Sequence, residues 1–112
     1  MKDYVRDNPE TIEKFSRAIS KAENFARENS QASIDIHAQV SGVDRDIIAT
    51  LFDDMAFNLS LDQNLLLDLE DQARWIISYG YTDKKVPNFL DYIYPDALRK
   101  VKPEAVTVIM EK

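Results

Sequence analysis

Few residues in this sequence are of types that could do chemistry, and their spacing argues against most of it. His37 is the only histidine. Ser33 and Asp35 lie near it and could be drawn into a Ser–His–Asp arrangement, but no nucleophile elbow or oxyanion-hole motif accompanies them. His37 therefore reads as an ordinary helical histidine. No His-x-x-x-His or Glu-x-x-His spacing offers a metal centre. The carboxylate pairs Asp53/Asp54 and Asp68/Asp71 read as solvated helix faces. Gly42 and Gly80 are the only glycines and stand alone, so no Gly-rich phosphate loop exists. Cysteine is absent, which removes thiolate chemistry and disulfides. The sequence thus predicts no catalytic residue, no metal site and no cofactor. It names no ligand-binding residue, and the chain is not expected to be an enzyme.

The remaining chemical candidate is an aromatic set, Trp75 with Tyr79, Tyr81, Tyr92 and Tyr94. Aromatics beside a cleft can stack on a ligand. The expectation here is core packing between a long helix and the segment after it.

That long helix is the axis of the reading. Residues 60–79 begin at Ser60, which with Gln63 forms a capping-box pattern, and stop at Gly80, the residue type expected where φ turns positive. Leu66, Leu69, Ala73, Trp75, Ile76 and Ile77 recur near helical spacing. Before it, residues 1–7 read as a polar lead-in. Asn8 and Pro9 start a helix over 8–29, with Asn8 as cap. Its apolar face is Ile12, Phe15, Ala18, Ile19, Ala22, Phe25 and Ala26, and Glu10–Lys14, Glu13–Arg17 and Glu23–Arg27 pair on the other side. Ser30 caps a shorter helix to residue 40, although Ala32, Ile34, Ile36, Ala38 and Val40 partly alternate and leave a strand as the alternative. Asp44 caps another over 44–55, with Ile47, Ile48, Leu51, Phe52 and Met55 inward. Residues 86–112 form a proline-punctuated tail in which Pro87, Pro95 and Pro103 each open a short turn of helix. Residues 105–110 are β-prone with no obvious partner. The expectation is one all-α domain over 1–112, a bundle of about four helices plus short C-terminal helical turns.

Composition sets further limits. The net charge is −6 and the isoelectric point about 4.7, which opposes nucleic acid and anionic membranes at long range. No apolar run is long enough to span a bilayer, and the first residues lack the apolar stretch of a signal peptide. On that ground the chain is cytoplasmic if Met1 is a true start. Ala38, Gly42, Val43, Ile48 and Leu51 have the spacing of a helix-turn-helix within residues 33–54. The second helix of that corner carries Arg45 against Asp44, Asp46, Asp53 and Asp54, a poor match to phosphates. No nucleic-acid partner is expected.

Four stretches carry a resemblance. They are Asn8-Pro9-Glu10-Thr11-Ile12-Glu13-Lys14-Phe15 with Ala18 and Ala22, then Gly42-Val43-Asp44 and its acidic-apolar helix. The third is Phe57-Asn58-Leu59-Ser60-Leu61 with Gln72-Ala73-Arg74-Trp75 and Gly80-Tyr81. The fourth is the run from Leu98-Arg99-Lys100 through Val101-Lys102-Pro103-Glu104-Ala105-Val106-Thr107. In this order they resemble the C-terminal segment of bacterial ABC-transporter substrate-binding proteins, of the family that takes aliphatic sulfonates, taurine, nitrate or thiamine-precursor pyrimidines. The resemblance implies a periplasmic or extracytoplasmic protein whose partners are its own upstream lobes, an ABC permease and a small solute. The family's ligand contacts lie mainly in the upstream lobes, so none is carried over. The alternatives are a free-standing helical interaction module and, less favoured, a helix-turn-helix DNA binder through residues 33–54. The module's apolar helix faces and β-prone tail predict a homodimer, with tail exchange as one route.

Overall fold

The computed structural model describes residues 1–111. The chain is all-α. Helices and 3₁₀ turns cover 68% of it, and among the described residues there is no sheet. The helices are α1 (Lys2–Asp7), α2 (Pro9–Glu28), α3 (Ser30–Ser41), α4 (Arg45–Phe52), α5 (Gln63–Ser78) and α6 (Asp96–Val101). None is long and apolar enough to cross a membrane. The chain divides into two compact units, Phe15–Leu59 and the rest.

Two asparagines act as helix joints, in a way the cap expectations missed. Residues 2–7 are helical rather than a lead-in, with Asp3 in the first turn and Arg6 in the last, bridged at 3.0 Å. Asn8 ends this helix: its backbone N–H and its Nδ2 both donate to the Tyr4 carbonyl at 2.9 Å. Its side chain therefore points back into α1 and does not cap α2. Its own carbonyl starts α2 by accepting from Thr11 and Ile12. Pro9 pushes the preceding residue out of the helical region, and Asn8 sits at φ −129°, ψ 52°. Asn29 repeats the device at φ −132°, ψ 61°. It donates twice to the Phe25 carbonyl and accepts from Ser33 N–H. Ser30, expected as the cap, is the first residue of α3.

In the Phe15–Leu59 unit the core is Ile34, Ile48 and Phe52, with Ala38, Ala49, Met55 and Phe57 packed around them. Asp44 caps α4 as expected, its Oδ1 accepting from Asp46 N–H at 2.8 Å. Gly42 ends α3 at φ +71°. The expected inward set needs correction. Ile47 is 54% and Leu51 48% exposed, because α4 ends at Phe52 and touches α3 along only one narrow stripe.

In the other unit, Leu66 of α5 and Ala97, Leu98, Ala105 and Val108 of the tail are buried. The start of α5 is not the expected capping box. Asp62 is the cap, accepting from Leu65 N–H at 3.1 Å, while Ser60 Oγ donates to Asp62 at 3.4 Å. Gln63 Oε1 instead accepts from Ile109 N–H at 3.2 Å. The tail thus has a partner after all. Leu61 forms a parallel bridge with Val106, donating to the Ala105 carbonyl and accepting from the amides of Thr107 and Val108. Of the three tail prolines, Pro103 opens a 3₁₀ turn and Pro95 precedes α6. The turn at Phe89–Tyr92 is capped by Asn88 rather than opened by Pro87.

Candidate functional site

Two surfaces concentrate side chains that could meet a ligand. The first is an apolar hollow of about 380 Å³ in the Phe15–Leu59 unit. The C-terminal half of α2 gives it Ala22, Phe25 and Ala26. One face of α3 gives Ser33, His37 and Val40, spaced as successive turns require. Phe52 and Phe57 close it, their rings 5.0 Å apart at 40°.

The segment carrying Phe57 is held by a charged clasp. Glu23 is 6% exposed although α2 is otherwise well solvated. Its carboxylate accepts from Leu59 N–H at 3.0 Å and pairs with Arg27. Arg27 in turn donates from Nε and Nη2 to the Phe57 carbonyl, at 3.2 and 3.0 Å. A burial of this kind is tolerable only because every charge has a partner. The sequence placed Glu23–Arg27 on a solvated face, since nothing in the i,i+4 pattern reveals that an extended segment will lie across it.

The second surface is aromatic and lies at the end of α5. Gly80, at φ +74°, lets the chain turn back. Gly80 N–H donates to the Ile77 carbonyl and Tyr81 N–H to the Ile76 carbonyl, the paired bonds of a Schellman ending. The turn returns the Tyr81 ring to 6.1 Å from Trp75, and the Tyr79 ring lies 4.8 Å from Trp75. All three are exposed, Trp75 by 54%. This corrects the expectation of a core tryptophan. The inward stripe of α5 runs through buried Leu66 and half-buried Leu69, Ala73 and Ile77, and Trp75 falls outside it. Trp75→Ala is therefore expected to lower stability by less than about 1 kcal/mol. Urea unfolding followed by far-UV circular dichroism checks this, and a loss of about 3 kcal/mol or more would return the ring to the core. Tyr92 and Tyr94 do not join the cluster. Tyr92 lies under the Lys2 ammonium, 4.0 Å from its ring centre.

The other chemical candidates are dispersed. Asp35 accepts from Arg45 Nε at 2.5 Å, and Gln31 accepts from Arg45 Nη2 at 2.6 Å. That pairing pins the α3–α4 corner and occupies its one basic residue. Ser33 Oγ has no hydrogen-bond partner, so nothing links it to His37. Asp71 and Glu70 are paired with Arg74 at 2.6 and 2.8 Å, and Asp53, Asp54 and Asp68 are exposed. No group of three or more potential metal ligands exists among the described residues. No family model, no curated protein and no solved structure is significantly similar to the chain.

Proposed function

We propose that this chain is the helical C-terminal part of an ABC-type substrate-binding protein, where it completes and supports a lobe used in solute capture. The observation that carries the reading is the ordered set of four stretches resembling that family. Two features of the fold support it. The stretch resembling the family's connector, residues 57–61, runs without helix into α5, and the stretch resembling its closing tail pairs with it at Leu61. Phe15, Ile19 and Phe25 on α2 are exposed, as are Ile47 and Leu51 on α4. Large apolar side chains left exposed in this number favour cover by another surface. In this reading the upstream lobe supplies it, the protein works outside the cytoplasm, and the permease and solute are partners of the whole molecule.

The same uncovered residues favour a second reading, a helical interaction module covered by another protein chain. A homodimer, with tail exchange as one route, is one form of that cover. Sequencing the gene upstream of Met1 decides between the readings. An open frame encoding strand–helix units is the expected result. A stop codon and ribosome-binding site directly before Met1 would overturn the substrate-binding reading and leave the interaction module.

A further inference from the structure

We draw no further inference here: the strongest candidate, the apolar surface around the hollow between α2 and α3, where Phe25, Ile36 and Val40 stand exposed, carries nothing further because nothing in the structure shows what covers it.

Discussion

Phe52→Ala is expected to destabilise the Phe15–Leu59 unit by about 3–5 kcal/mol, the range for removing a buried aromatic ring. Phe52 is the last residue of α4, four residues after Ile48, so the two side chains share one stripe. That stripe meets Ile34 of α3, and these three are the buried hydrophobics of the unit's core cluster. Phe52 also packs against Phe57 at 5.0 Å, so its removal opens a cavity under the extended segment as well. Whole domains are stable by about 5–15 kcal/mol, and a unit with so few buried side chains falls at the low end. The variant should therefore lose most of its cooperative unfolding by circular dichroism. Leu51→Ala is the control: one position away and 48% exposed, it should shift stability by no more than about 0.5 kcal/mol. Equal effects at 51 and 52 would mean that α4 does not present the face described.

How far the sequence could be read follows from what each signal depends on. Local signals were legible. The all-α class, the Asp44 cap and the left-handed glycine at 80 depend on a few neighbouring residues, and the structure has them all. The caps at Asn8, Ser30 and Ser60 differ from expectation. In each case the expected side chain does not cap the helix it precedes: Asn8 bonds back to Tyr4, Asn29 stands at the start of α3 in place of Ser30, and Asp62 caps α5 in place of Ser60. What was not legible was contact between segments distant in sequence. Gln63 fits a capping box by spacing, yet its oxygen goes to Ile109, which no local pattern announces. The β-prone tail had no visible partner because that partner is a single residue, Leu61, rather than a strand. Trp75 misled through composition, since large aromatics are usually buried and one extra position around α5 takes this ring out of the buried stripe.

The hollow shows the same division. Ser33 and His37 were noticed for a chemistry they do not share, and the structure brings them to one face of α3. The walls opposite them come from α2 and Phe57, and only folding joins those.

Glu23→Ala is expected to lower stability by about 2–3 kcal/mol, far more than a change on a solvated helix face. Ordinarily alanine would be the better helix former and would raise stability by a few tenths of a kcal/mol (~0.3). Here the carboxylate is the acceptor for Leu59 N–H, and its removal leaves that amide without the bond. It also leaves Arg27 with the Phe57 carbonyl alone. Arg27 is half-exposed and regains water, so the loss falls short of the full penalty for breaking a buried ion pair. Glu23→Gln separates the contributions, because it keeps an oxygen for Leu59 and gives up the charge. Its loss should be about half that of alanine. Hydrogen exchange at the Leu59 amide gives the site-specific reading: faster in Glu23→Ala, nearly unchanged in Glu23→Gln. A Glu23→Ala variant within about 0.5 kcal/mol of the parent would mean that residues 57–59 are not held by the clasp, and with them the wall that Phe57 gives to the hollow.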